Sequence, residues 1–441
     1  MLRPIAGRVA AAELLVLLGL APALLFPQPL LTPVLLALPG LWLCARLAGG
    51  RFVPRTPLDL ALLLLLATLL LSLFVTSSVR DSLGKICSLL LGIAVFYALV
   101  RWTTNPARLR AGLAAFVLLG AAFAAVALVG TEWPEKVSGL SAVTRRLPAL
   151  LRGIPGAADG FQPNVVGGSV LLFVPLQLGL LAAALRRPGR LEARDWPGWL
   201  AHPPVVLVQV GLLILTAGTL LLSQSRGAWA GAAAGLAAYA LWHSRRTRLG
   251  LAAVLLVVAL AAVLWGPARL AAALLESFGS GLSSDVVQRL ELWSRALYAI
   301  ADFPITGLGL NQFRRVMPVL YPAFLQAPGF DTAHAHNHLL QAALDLGLPG
   351  LVAYLALWLL AGVLLWRACR RAPPAWLRTA AEGLGAGLIA YFVFGLTDAI
   401  PLGAKIGILF WLVLALSVSL HAHSGSDALV PAGVSQPPPG L

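Results

Sequence analysis

Apolar residues fill twelve long blocks of the chain, at about 9–26, 29–47, 57–76, 84–100, 111–130, 165–185, 204–223, 227–242, 249–266, 339–366, 379–397 and 404–420. A helix needs roughly 20 apolar residues to cross the hydrocarbon core of a bilayer, so each block predicts a spanning helix. The pattern predicts an all-α polytopic membrane protein with about 12 transmembrane helices. Helices 1–5 occupy residues 1–130, helices 6–9 residues 165–266, and helices 10–12 residues 339–420. Two long segments, 131–164 and 267–338, separate these groups, and the tail 421–441, ending Gln-Pro-Pro-Pro-Gly-Leu, reads as disordered. The first block follows Arg3 and Arg8 as in a signal peptide, but no small-residue cleavage site precedes Phe26 and Pro27, so it reads as a retained span.

The 267–338 segment is too long for an idle connection. Within it, Val286, Leu290, Trp293, Leu297 and Ile300 recur at helical spacing after the possible caps Ser283 and Ser284, and the pattern stops at Pro304 and Gly307. It predicts a helix along the membrane boundary, with Asp285/Arg289 and Glu291/Arg295 as i, i+4 pairs on its polar side.

Composition agrees: 59% hydrophobic and 11% charged residues exclude a soluble globular protein, for which about a quarter would be charged. The net charge of +15 would suggest nucleic acid in a soluble chain, but here 19 of the 32 Lys and Arg residues fall in short segments on one side of the predicted bundle. The positive-inside rule makes that side cytoplasmic, with both termini there and the two long loops outward. Cys44, Cys87 and Cys369 lie in or beside separate apolar blocks without CxxC spacing and read as packing residues.

The outward side retains Arg80, Lys85, Arg145, Arg146, Arg226, Arg289, Arg314 and Arg315 among its 13 cations, against 11 acids that include Asp345 and Asp398. Basic groups beside apolar spans are costly without a partner or a task, and their excess suggests an anionic ligand. Arg226 stands out in Ser225-Arg226-Gly227, between blocks with almost no loop. Its guanidinium can bind a phosphate at a helix N-terminus, or snorkel to headgroups, or pair with an acid. Asp331, His334, His336 and His338 cluster just before the tenth block. Spacing alone allows helix capping and hydrogen bonding first, a metal site second, and proton transfer near the lipid surface as the third reading.

His336-Asn337, nine residues, then Gly347-Leu-Pro-Gly350 resembles the signature of the O-antigen ligase and polymerase superfamily. Also similar are Phe161-Gln-Pro-Asn164, Ser225-Arg226-Gly227, and Arg289 followed by Trp293, Pro304, Gly307, Gly309 and Phe313. The likeness runs from about residue 160 to 365. It implies a glycosyltransferase of the bacterial inner membrane, acting on the periplasmic side, that moves a glycan from undecaprenyl pyrophosphate to an acceptor hydroxyl. In the ligase branch, favoured here, the acceptor is lipid A–core.

The resemblance implies His336 as the general base, with Arg226 and Arg289 stabilising the departing pyrophosphate. Arg145, Arg146, Arg314, Arg315, Arg80 and Lys85 are weaker substrate-binding candidates, as are His334 and His338. Asn337 orients the imidazole or caps a helix, Asn164 belongs to the motif, and Gly347 and Gly350 allow a kink and close packing. Direct displacement predicts inversion. The activated donor makes ATP unnecessary, no metal or other cofactor is expected, and membrane lipids but not nucleic acid are expected partners. Oligomeric state is not encoded legibly. The rival readings are an O-antigen polymerase, an O-linked protein oligosaccharyltransferase and, in another class, a lipid-glycan transporter or flippase. Against transport, the polar groups gather on one face, and Asp59 and Glu382 lie near cytoplasmic span ends.

Overall fold

A computed structural model describes residues 2–147, 150–153, 160–185, 202–266, 282–325, 333–371 and 374–425. The basic segment 186–201, the start of the large loop, Asp331, the side chains of Ser283, Ser284 and Asp285, and the tail beyond 425 lie outside the described residues.

Each of the twelve apolar blocks is helical. The elements are α1 (Leu2–Ala11), α2 (Glu13–Leu25), α3 (Ala37–Leu47), α4 (Asp59–Leu73), α5 (Val79–Trp102), α6 (Pro106–Gly130), α7 (Ser138–Thr144), α8 (Pro163–Val170), α9 (Val174–Leu185), α10 (Pro203–Leu222), α11 (Arg226–His243) and α12 (Arg245–Trp265). They continue with α13 (Leu282–Asp302), α14 (Phe313–Leu320), α15 (His338–Arg370), α16 (Ala375–Gly395) and α17 (Ile408–Ala422). Among the described residues, seven helical segments are long and apolar enough to cross a membrane: α5, α6, Pro163–Leu185, α10, α15, α16 and Lys405–Ala422. Leu255, Leu256, Val257 and Val258 of α12 are all exposed, as are Leu207, Val208 and Ile214 of α10. Such continuous apolar surface is unfavourable in water and suits contact with lipid.

α16 sits at the centre, packed against α9, α11 and α15. Its contact with α11 uses glycines at four-residue spacing on one face of α11. A Cβ on Gly227 would strike Thr397, one on Gly231 the Ala390 carbonyl, and one on Gly235 the Ala386 carbonyl. Small residues let two helix backbones approach closely, and this antiparallel register brings the Arg226 end of α11 to the Thr397–Asp398 corner after α16.

α15 is broken at Gly347, where φ is +72° and ψ 179°. The Leu348 N–H donates to the Pro304 carbonyl at 2.7 Å, and the Leu308 N–H to the Leu344 carbonyl at 2.7 Å, so the turn after α13 docks into the kink. A Cβ on Gly347 would strike Ile305, and the conformation is nearly exclusive to glycine. Gly350, one turn on, lies close to Thr68 of α4. Gly347→Ala is expected to cost about 3 kcal/mol or more. The measurement is a thermal melt of the detergent-solubilised protein; an unchanged midpoint would show that the kink is not needed.

One expected pair does not form. Glu291 accepts the Phe324 and Leu325 N–H groups at 2.7 and 2.9 Å, while Arg295 lies over the Phe324 ring at 5.5 Å. Two otherwise unsatisfied backbone donors outcompete an i, i+4 salt bridge worth a few tenths of a kcal/mol. α13 also includes Leu282, Ser283 and Ser284 and ends at Asp302, two residues before Pro304.

Candidate functional site

Asn337 caps α15: its Oδ1 accepts the Leu339 and Leu340 N–H groups at 2.9 and 3.2 Å. Its Nδ2 donates to the Leu396 carbonyl at 3.1 Å, tying the start of α15 to the end of α16. That bond sets His336 beside Asp398, with Nδ1 3.1 Å from Oδ1. The same oxygen accepts the Ala399 N–H at 2.8 Å, and Asp398 is only 4% exposed. Burial alone would raise its carboxyl, but the His336 hydrogen bond, the charges of His336 and His334 and the Ala399 N–H hold it below the ordinary carboxylate value. A carboxylate only accepts, so in the neutral ring the shared hydrogen lies on His336 Nδ1 and the lone pair on Nε2.

His336 has φ of +50°, in the left-handed region that costs a non-glycine residue free energy. Among the described residues the other two such positions, Gln224 and Asn311, are at the same end of the bundle. Buried Gln224 accepts the Val137 N–H at 2.7 Å and donates to the Pro134 carbonyl, fixing the segment before α7 next to Arg226. Asn311 donates its N–H to Asp345 at 3.1 Å and its Nδ2 to the Asp81 carbonyl at 2.7 Å. Backbone strain concentrated at one end is a reason to locate function there.

His334 completes the cluster. Its Nδ1 accepts the His336 N–H at 3.2 Å, and its Nε2 lies 3.9 Å from Asp398 Oδ1. Burial, then the charges of His336, Lys85 and Arg314, push the His334 pKa down to about 4 against the pull of Asp398. The unfolded value is near ~6.5, so between these values the unfolded chain takes up a proton that the folded protein refuses. Stability is therefore expected to be fully present above about pH 6.5 and to fall by up to about 3 kcal/mol as pH drops towards 4. His334→Asn, which still accepts the His336 N–H, is expected to flatten this limb in melts recorded with EDTA. An identical acid limb in the variant would assign it to another group.

His338 goes elsewhere. It is the first residue of α15, buried with Nδ1 3.0 Å from the Tyr354 hydroxyl, and its ring packs on Trp358 and Phe392. Arg289 lies one helical turn before Trp293, whose Nε1 donates to the Ala335 carbonyl at 3.0 Å, so the two occupy the same face of α13. Among the described residues nothing forms an ion pair or hydrogen bond with Arg289. Arg226 opens α11 behind its cap Ser225, and the next residue, Gly227, packs against Thr397, the neighbour of Asp398.

The remaining cations divide. Lys85 and Arg314 lie close enough to act electrostatically on His334. Arg315 pairs with Asp81 at 2.6 Å, Arg145 pairs with Glu135 at 2.7 Å, and Arg80 and Arg146 are exposed. Asn164 is half-buried on α8, and its neighbours Phe161, Gln162 and Val165 line a cavity of about 740 Å³. Phe26, Phe123, Phe161, Val165 and Ile406 make its walls apolar, with Lys85 and Lys405 as its cations. Lys85 thus joins the cavity to the histidine cluster.

The residue that sequence reasoning missed is Asp398. It was visible only as one outward acid among 11, and no local motif marks it. Helical architecture and lipid-facing surface define a multi-pass membrane protein with a histidine–carboxylate pair at one end of its bundle. Residues 211–355 match the sequence profile of a family described as O-antigen ligase, so this part of the chain is similar to the O-antigen ligase and polymerase superfamily. The members of that family are membrane glycosyltransferase-like enzymes. No curated protein matches the chain.

Proposed function

We propose that the protein is a glycosyltransferase of the inner membrane that moves a glycan from undecaprenyl pyrophosphate to a hydroxyl of lipid A–core on the periplasmic side. The observation that carries this reading is the His336–Asp398 pair inside a cluster of cations, on a chain whose matched domain is described as O-antigen ligase.

In the proposed reaction, His336 Nε2 takes the proton of the acceptor hydroxyl as its oxygen attacks the anomeric carbon. The bond from that carbon to the pyrophosphate oxygen breaks, and undecaprenyl pyrophosphate leaves with the electron pair. Asp398 holds Nδ1–H and stabilises the imidazolium that forms. Arg289 and Arg226 neutralise the charge that develops on the pyrophosphate, without requiring a metal or ATP. The apolar cavity beside Lys85 suits the isoprenoid portion of the donor or the acyl portion of the acceptor.

Arg289→Ala is expected to lower kcat by about 10²–10³-fold, the scale of one lost charge-stabilising donor, with an unchanged melting temperature. Steady-state rates and a melt check this; an effect on stability alone would make Arg289 structural. The acceptor is tested by supplying purified protein and lipid-linked glycan with lipid A–core, a second lipid-linked unit, or an acceptor protein. Product on lipid A–core alone supports a ligase, product only on the others moves the assignment within the superfamily, and movement of donor across vesicles without product favours transport.

One observation favours a second reading. His334, His336 and Asp398 present possible ligand atoms within 4.8 Å of one another, a spacing that suits a metal ion. Against it, His334 Nδ1 and His336 Nδ1 are already engaged in hydrogen bonds within the cluster.

A further inference from the structure

α11, α15 and α16 each carry a residue of the proposed transfer site at or near one end, and a second cavity lies at their other ends. α15 alone has 33 residues, roughly 50 Å of helix, so the two places are separated by the depth of the bundle. The cavity measures about 450 Å³, and Trp242, His243, Arg248, Trp366, Arg370 and Arg378 are among its lining residues.

Its charge is unbalanced. Among the described residues Glu382 is the one carboxylate in the lining, and it is 3% exposed and engaged by His243, whose Nδ1 lies 2.7 Å from Oε2. Tyr239 stacks on that imidazole at 5.0 Å, which holds the pair in place. Among the described residues none of Arg248, Arg370 and Arg378 forms an ion pair with a carboxylate. Arg248 donates to the Ser244 carbonyl at 3.4 Å, and Arg370 lies 5.4 Å from the centre of the Trp366 ring.

Three guanidinium groups converging on one concavity repel one another unless an anion joins them. A topology signal requires positive charge in the loops but not this convergence around a buried, already satisfied acid. Guanidinium forks match the oxygens of a phosphate. The rim is apolar and aromatic: Leu241 is 53%, Trp242 44% and Trp366 50% exposed, as expected of side chains at a lipid–water boundary. We propose that this cavity is a binding site for a phosphate group, supplied by an anionic phospholipid whose chains run along Leu241, Trp242 and Trp366. This proposal is independent of the transfer reaction.

The test uses the full-length protein in mild detergent. Native mass spectrometry and thermal melts compare added phosphatidylglycerol, cardiolipin, phosphatidylethanolamine and inorganic phosphate. The expected result is preferential retention of, and a higher melting temperature with, the anionic lipids, with an apparent affinity at least tenfold weaker in Arg248→Gln/Arg378→Gln. Equal stabilisation by inorganic phosphate alone would keep the phosphate site and assign it a soluble source. No preference of wild type for anionic over zwitterionic lipid, together with no effect of phosphate, would overturn the proposal whether or not the variant folds. So would undiminished binding by a folded variant.

Discussion

His336→Ala is expected to lower the rate of glycan transfer by about 10²–10⁴-fold, the range contributed by a positioned general base. A sugar hydroxyl is a weak nucleophile until its proton has a destination, and His336 Nε2 is the lone pair that the Asp398 contact leaves available. The side chain is 26% exposed and makes one side-chain hydrogen bond among the described residues, to the buried Asp398, so its removal costs the fold about 1–3 kcal/mol. Because the backbone there has φ of +50°, His336→Asn is the better control: asparagine tolerates that conformation and supplies no base. Both variants are expected to fold, with a melting temperature lowered by no more than that loss implies, and to bind donor while failing to transfer. Activity within threefold of wild type in either would remove His336 from the chemistry.

Asp398→Asn is expected to be nearly as damaging, by about 10²–10⁴-fold in kcat with little change in KM. The substitution keeps the shape of a side chain that is 4% exposed and reaches the proposed reaction through His336. An amide nitrogen turned towards His336 would force Nδ1 to accept, placing the ring hydrogen on Nε2, where the lone pair is needed. An amide oxygen turned towards it preserves the tautomer but lacks the charge that stabilises an imidazolium. Steady-state kinetics beside a thermal melt separate this from a packing defect. A fall in melting temperature with kcat unchanged would make Asp398 a structural residue only.

What the sequence reveals and what it hides follow the range of each interaction. Helical apolar blocks are legible because apolar length is a local property, but among the described residues seven helical segments, not twelve, are long and apolar enough to span a membrane. The kink at Gly347 is legible because glycine, then proline two residues later, interrupts an apolar run. The role of Asp398 is not, because its contact with His336 spans 62 residues and depends on the register of α11, α15 and α16. The alternating histidines mislead for a related reason. His334 and His336 lie side by side, ring centres 4.4 Å apart, but Asn337 caps a helix and turns His338 into the aromatic interior. Glu291 is misread because the backbone groups it satisfies, at Phe324 and Leu325, are more than 30 residues away. Arg145 and Arg315 look like free outward cations in sequence, and folding gives each an acid.

The most direct measurement is transfer by the wild-type protein from an undecaprenyl-pyrophosphate-linked glycan to lipid A–core, with excess EDTA and no ATP, reading the anomeric configuration of the product by NMR. A base-assisted direct displacement predicts an undiminished rate and inverted configuration. Loss of activity on chelation with recovery on adding a divalent metal, or retention of configuration, would contradict it.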